Sequence, residues 1–407
     1  MRICLVGPLH VSFNPRLLRE ADTLAEAGHD VRVVCKQSDQ ALSVLDGKVL
    51  TGKRWKLDSV NHCRNGSLNK TWLSAAVQSK LLEKAFRFGL RTDGVATKGY
   101  VRGLAQLQRL AEREAADWYI AHTLPGLPIA AGAARARNAK LGFDCEDLLA
   151  EASADLSTLA DRVERRYLPS CDYISVPSDC MARRLMENHA IATPTVLYNV
   201  FPTRLAEGML KPEARPMNAK LRFHWFSQTI GEGRGLEEAI EALSLLNTKP
   251  ELHLRGRLSQ TYEQTLRNVS RRAGDKVDLL FHPVIDPDAL ISSLEQFDIG
   301  LALELPSNGN ASRTVSNKIG SYLLGGLAIA ATDTPGQREV MEQIPGAGFL
   351  YKPGRPQELA EKLQRWVDDR NALRLAQQSA WDAARARFCW DVEKSKFLAM
   401  FEPRDLN

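Results

Sequence analysis

Phe297-Asp298-Ile299-Gly300-Leu301-Ala302-Leu303 is an apolar run of strand length, too short for a helix of its own. The segment behind it, Glu304-Leu305-Pro306-Ser307-Asn308-Gly309-Asn310-Ala311-Ser312-Arg313, has no hydrophobic period and is dense in turn formers. It is expected as a loop at the carboxyl end of that strand, where open α/β sheets bind ligands. Val315-Ser316-Asn317-Lys318-Ile319-Gly320-Ser321-Tyr322-Leu323-Leu324-Gly325-Gly326 then reads as a helix that Ser or Asn can cap, with Lys318 in its first turn and a glycine stop. Leu327 to Ala331 is a second buried strand. This order brings backbone N–H groups and one lysine to bear on an anion.

Outward from this stretch, strands and helices alternate in both directions. On the amino side the strands are expected at Leu221–Phe226, Leu252–Leu254 and Val277–Phe281, with helices starting at Leu236, Gln260 and Pro287. Before them the pattern lapses over 199–216, where Pro202, Pro212 and Pro216 gather as in a linker. An earlier series holds strands at Ile3–Val6, Val31–Cys35, Trp118–Ala121, Lys140–Asp144, Tyr173–Val176 and Thr195–Tyr198. Its first helix, Arg16 to Ala27, places Leu17, Ala21, Leu24 and Ala25 on one face. Alternation of this kind predicts parallel sheets. The expected fold class is α/β, two Rossmann-like doubly wound domains facing each other across a cleft. The boundaries read as 1–203, 204–388 and a C-terminal helix over 389–407 that can return to the first domain.

Composition bounds the function. A chain of 407 residues exceeds a single core, and 44% hydrophobic with 25% charged residues is ordinary for a globular protein. A formal charge of +5, without a basic stripe on a recognisable module, argues against nucleic acid as a partner. Seven scattered cysteines without a C-x-x-C pair argue against a disulfide framework and a zinc site, and fit reduced thiols in the cytoplasm. Arg2 to Gly7 is read as a first strand and not as a targeting segment. The longest apolar runs fall short of a membrane span.

The turn Ser227-Gln228-Thr229-Ile230-Gly231-Glu232-Gly233-Arg234-Gly235 joins a strand to a helix, so that Gly231 and Gly233 let a phosphate approach the backbone and Arg234 adds a fork of donors. Leu236 stands where a dinucleotide fingerprint has its last glycine, and the next strand ends in Arg255-Gly256-Arg257 in place of a ribose-binding acid. NAD is therefore disfavoured. The anion is read as the diphosphate of a nucleotide sugar.

Gly231 to Ala242, Asn317-Lys318-Ile319-x-x-Tyr322-Leu323 with Gly326-Leu327-Ala328, and Thr334-Pro335-Gly336-x-x-Glu339-Val340 resemble the donor-binding half of GT-B glycosyltransferases, closest to the retaining family four. Asn14-Pro15-Arg16, Ala121-His122 and Tyr198-Asn199-Val200-Phe201-Pro202 fit the other half and the hinge. The resemblance implies a transferase that holds the donor diphosphate with Lys318 and Arg234, needs no metal or other cofactor, and turns His122 toward the donor sugar. The family's two glutamates, eight positions apart, are replaced here by Arg313 and Ser321. Glu304 and Glu339 stand near enough in sequence to substitute, and Asn317 and Ser321 complete the expected donor set. Asp144 and Glu146, after the strand ending at Phe143, are candidate acceptor bases; acids at a solvated helix start are the alternative.

Residues 70–110 carry eight basic and two acidic residues, a net +6, with Trp72, Leu73, Val77, Leu81, Leu82, Phe86 and Phe88 helically spaced. They read as a basic amphipathic helix suited to an anionic membrane surface, or as a helix packed on its own sheet. The expected protein moves a sugar from a nucleotide sugar to a glycan or lipid-linked acceptor in cell-surface polysaccharide synthesis, in the cytoplasm or at the inner face of the membrane. A nucleotide-sugar epimerase of the same fold, or a non-catalytic nucleotide-sugar-binding subunit, is the alternative.

Overall fold

The computed structural model describes residues 1–63, 70–152 and 157–402. The chain divides into two compact units, Met1–Leu197 with the stretch from Leu398 onward, and Tyr198–Phe397. The division falls earlier than the 203/204 boundary read from the prolines. Helix Trp390–Ala399 lies mainly in the second unit. Beyond that helix Phe401 packs edge-on against Trp118 and Tyr173 of the first, with ring centroids 5.4 and 5.7 Å apart.

In the first unit the strands are β1 (Arg2–Gly7), β2 (Asp30–Gln37), β3 (Lys56–Asn61), β4 (Trp118–His122), β5 (Lys140–Asp144), β6 (Tyr173–Val176) and β7 (Thr195–Val196). They form one parallel sheet in the order β3-β2-β1-β4-β5-β6-β7. The second unit holds β8 (Arg222–Ile230), β9 (Glu251–Leu258), β10 (Asp278–His282), β11 (Ile299–Ala302), β12 (Ala328–Thr332) and β13 (Gly348–Tyr351), parallel in the order β10-β9-β8-β11-β12-β13. Both sheets reverse their winding once, between β1 and β4 and between β8 and β11. Ligand sites of doubly wound sheets form outside the strand ends at such a point, and each unit has one.

Several elements depart from the sequence reading. Strands β3 and β13 were not foreseen. Ser227 to Ile230, read as turn, continues β8 through a register irregularity between Phe226 and Thr229, so the turn proper starts at Gly231. Within the polar segment after β11, Gly309–Arg313 forms a short helix capped by Asn308. Residues 70–110 form three helices, Lys70–Arg87, Asp93–Tyr100 and Leu104–Glu112, not one.

Two packing features set the helix Asn317–Gly325 in place. Gly300 lies under the ring of Tyr322, where a Cβ would stand 2.2 Å from the ring's Cγ. The buried Tyr322 hydroxyl then donates to the His224 carbonyl at 2.9 Å, with the Leu301 carbonyl at 3.2 Å. The helix is thus pinned to β8 and β11 together. It ends at Gly326 in the left-handed conformation, φ 65°, as the glycine pair predicted.

Candidate active site

In the second unit, β8 delivers the chain into Gly231–Gly235 and helix Leu236–Ser244. Gly233 and Gly235 both have φ 70°, a conformation that disfavours a side chain. A Cβ on Gly235 would also press to 3.0 Å from Cβ of Leu303. The glycines therefore bring this turn against the end of β11 and leave Arg234 exposed, with no hydrogen bond or salt bridge to any described residue. Beside it, after β11, the Glu304 Oε1 accepts from Lys318 Nζ at 2.6 Å and from Ser316 Oγ at 2.9 Å. Lys318 is only 8% exposed, and its ammonium lies 5.4 Å from the centroid of the Trp225 ring, within cation–π reach. Lys318 draws the Glu304 carboxyl below its ordinary pKa against the effect of burial, and Ser316 and Arg234 add to the pull.

Ser316 occupies the N-cap of helix Asn317–Gly325 but makes no side-chain cap bond; its hydroxyl is spent on Glu304. Asn317 is exposed in the first turn. Ser321 is fully buried and donates to the Asn317 carbonyl at 3.1 Å. Ser321→Ala should accordingly change nucleotide affinity by less than about 1.5 kcal/mol, the range for a neutral hydrogen bond, as read by calorimetry. Glu339 sits on helix Pro335–Met341, half-buried, and accepts from the Tyr198 hydroxyl at 3.1 Å.

In the first unit, His122 and Asp144 end the adjacent strands β4 and β5 and are register partners. Both are fully buried, as is Glu20. His122 therefore shows no accessible surface, and Nε2 lies 3.2 Å from Glu20 while Nδ1 lies 3.4 Å from Asp144 and 3.3 Å from Glu146. Burial works against a charged ring, but these carboxylates push its pKa well above the ordinary value. Asp144 is gripped by Arg16, with Nε and Nη2 each 2.6 Å from one carboxylate oxygen, and accepts from Ser175 Oγ at 2.7 Å. Burial would raise the Asp144 pKa, yet Arg16 and His122 hold it at about 2. Glu20 moves upward through burial and the nearby Asp144, partly offset by His122 and Arg16. A carboxylate bonded this completely to a guanidinium is a weak proton acceptor. Glu146 differs: its side chain is 19% exposed, and it accepts from Asn14 as well as facing His122.

The ligand atoms of Glu20, His122 and Asp144 lie within 4.8 Å of one another, a spacing open to a metal ion. Arg16 already occupies both oxygens of Asp144, and the cluster reads as an ion-pair network. Next to it Thr123 has φ 58° and ψ 156°, a strained backbone for a β-branched residue and one that collects at functional sites. The sequence reading gave no role to Arg16, named only in the first helix and in the Asn14-Pro15-Arg16 motif, and it missed Glu20. They lie at i and i+4 on the buried face of helix Pro15–Glu26, and that spacing inside an apolar stripe was the available signal.

Residues 13–199 match the model of the glycosyl transferase 4-like domain family. Solved structures align over nearly the whole chain. HepE of Anabaena in complex with UDP does so at 16% identity over 98% of this chain and 99% of that one, with a TM-score of 0.69, and it has also been solved with UDP-glucose. A glycosyltransferase of Rickettsia africae aligns at 15% identity over 98% and 97%, TM-score 0.68. Sucrose-phosphate synthase of Thermosynechococcus elongatus aligns at 12% over 98% of each chain, TM-score 0.67. The chain has the GT-B fold. No curated protein sequence matches it. In this GT-B chain the family-model match covers nearly all of the first unit, and the clusters at Lys318 and His122 sit one in each doubly wound sheet.

Proposed function

We propose that this GT-B protein is a glycosyltransferase that takes a sugar from a nucleotide-sugar donor to a glycan or lipid-linked acceptor in the assembly of cell-surface polysaccharide. The observation that carries the reading is the convergence of Lys318, Ser316 and a helix amino end, with the exposed Arg234 on the neighbouring turn, at the switch point of the second sheet. Such a set binds phosphate groups. In this reading Gly231, Gly233 and Arg234 meet the diphosphate with Lys318, Asn317 lies at the same helix end, and Glu304 and Glu339 are the nearby acids. The HepE complexes make a uridine diphosphate sugar the first donor to try. Glu146 is the acid–base group of the first unit, with His122, Asp144, Glu20 and Arg16 fixing it from behind. The reaction is assigned as retaining and independent of metal. Product analysis tests this: a new glycosidic bond is expected, unchanged by EDTA, whereas an epimerised sugar or an intact donor would contradict it.

A surface supports the proposed location. No helix among the described residues is long and apolar enough to cross a membrane. Helix Lys70–Arg87 buries the small residues Ala75, Ala76 and Ser79 with Phe86, and exposes Leu73, Val77 and Leu81 as a stripe on another face. Phe88, 90% exposed, and Leu90 continue the apolar surface, with Lys80, Lys84, Arg87 and Arg91 all exposed beside it. Packing explains the first face and leaves the second for a partner. Apolar side chains among lysines and arginines suit an anionic lipid surface, which would place the protein in the cytoplasm at the inner leaflet. Flotation with anionic vesicles should recover the protein at low salt and lose it at high salt, because exposed charges are screened. Equal recovery on neutral vesicles would contradict this.

A further inference from the structure

The anion site of the second unit is filled by an anion of its own. Lys318 Nζ, Ser316 Oγ and the amino end of helix Asn317–Gly325 are the donors of a phosphate site, yet both side chains are bonded to one oxygen of Glu304. We propose that Glu304 is a built-in stand-in for phosphate, which holds Lys318 until a nucleoside diphosphate displaces it and so sets the affinity of the site. This rests on the diphosphate reading above.

The packing explains why a stand-in is needed. Trp225 and the helix keep Lys318 almost wholly buried, and a buried ammonium without a counter-charge is costly. The Glu304 carboxylate meets that need in the free protein. Once a diphosphate arrives, the same carboxylate is a like charge a few ångströms from it, and it must leave or be tolerated at a loss of affinity. Arg234, exposed and with no hydrogen bond or salt bridge to a described residue, is available to the incoming phosphates before Lys318 is released. A residue that merely aimed Lys318 at the ligand would have the opposite effect, since its loss would loosen the lysine and weaken binding. The sign of the effect therefore separates the two roles.

The experiment titrates UDP, ADP and GDP into the full chain by calorimetry and takes the tightest of them as probe. Glu304→Gln and Glu304→Met, neutral and of similar size, should each bind it at least about threefold more tightly than the parent, while Lys318→Ala binds it more weakly. Melting curves check that each variant is folded, and either Glu304 variant suffices. Equal or weaker binding in the Glu304 variants, with Lys318→Ala still weakened, would make Glu304 a positioning residue and overturn the proposal. Unchanged affinity in Lys318→Ala would instead remove the diphosphate site itself, and the proposal with it.

Discussion

Arg16→Met is expected to destabilise the first unit by about 3–5 kcal/mol, the cost of leaving a buried charge without its partner. The guanidinium holds both oxygens of the fully buried Asp144 and donates to the Leu197 carbonyl at 2.8 Å, so methionine fills the volume and satisfies none of these acceptors. The pH dependence gives a second readout. Asp144 has a folded pKa of about 2, below the unfolded value near 3.9. Its contribution is thus present above the unfolded pKa and is lost as pH falls through the folded one. Urea unfolding of the parent should show that acid limb, and Arg16→Met, which keeps the pull of His122 on Asp144 but not that of Arg16, should show less of it. His122 acts in the other direction: its raised pKa lends stability that is complete below the unfolded value and fades as pH rises through the folded one. A loss of less than about 1 kcal/mol in Arg16→Met, the scale of a surface ion pair, would mean that the network is solvated in solution.

Glu146→Gln is expected to lower turnover by about 100-fold or more, the usual contribution of a positioned acid or base, with nucleotide affinity and melting temperature nearly unchanged. Among the carboxylates facing His122, it is the one with surface open to a substrate. Asp144→Asn would lower activity too, but through unfolding, because it strips Arg16 of the carboxylate that holds it at both Nε and Nη2. Melting curves distinguish the two cases. A product with the donor's anomeric configuration keeps the retaining assignment, whereas inversion together with a dead Glu146→Gln would make that carboxylate the base. Full turnover in Glu146→Gln would place the chemistry elsewhere on the first unit.

Sequence pattern showed the parts whose burial is continuous. Ile3 to Val6 and Leu327 to Ala331 are apolar on both faces, as strands inside a parallel sheet must be, and glycine stops such as Gly326 mark helix ends by their backbone conformation. Strand β3, Lys-Leu-Asp-Ser-Val-Asn, was hidden because an edge strand is only half-buried and its composition reads as loop. Ser227 to Ile230 reads as turn for a similar reason: polar residues and a bulge disguise an extended strand end. Arg234 and Lys318, the residues proposed to meet the diphosphate, stood out because glycine turns and helix starts are local features. The support behind His122 did not. A buried Arg16 or Glu20 has the same spelling as a solvated one, and only the partner more than a hundred residues away reveals which it is.

The central claim, that the second unit holds a nucleoside diphosphate at the turn after β8 and the helix after β11, is tested most directly at Arg234. Its side chain is exposed and has no hydrogen-bond or salt-bridge partner among the described residues, so Arg234→Ala leaves the fold intact. Calorimetric titration of UDP, ADP and GDP into the parent and this variant is the measurement. The expected result is saturable binding of at least one of the three by the parent and a loss of about 1.5–3 kcal/mol in the variant, the range for hydrogen bonds to charged groups. Equal affinity in the two proteins, or no binding of any nucleoside diphosphate by the parent, would contradict the claim.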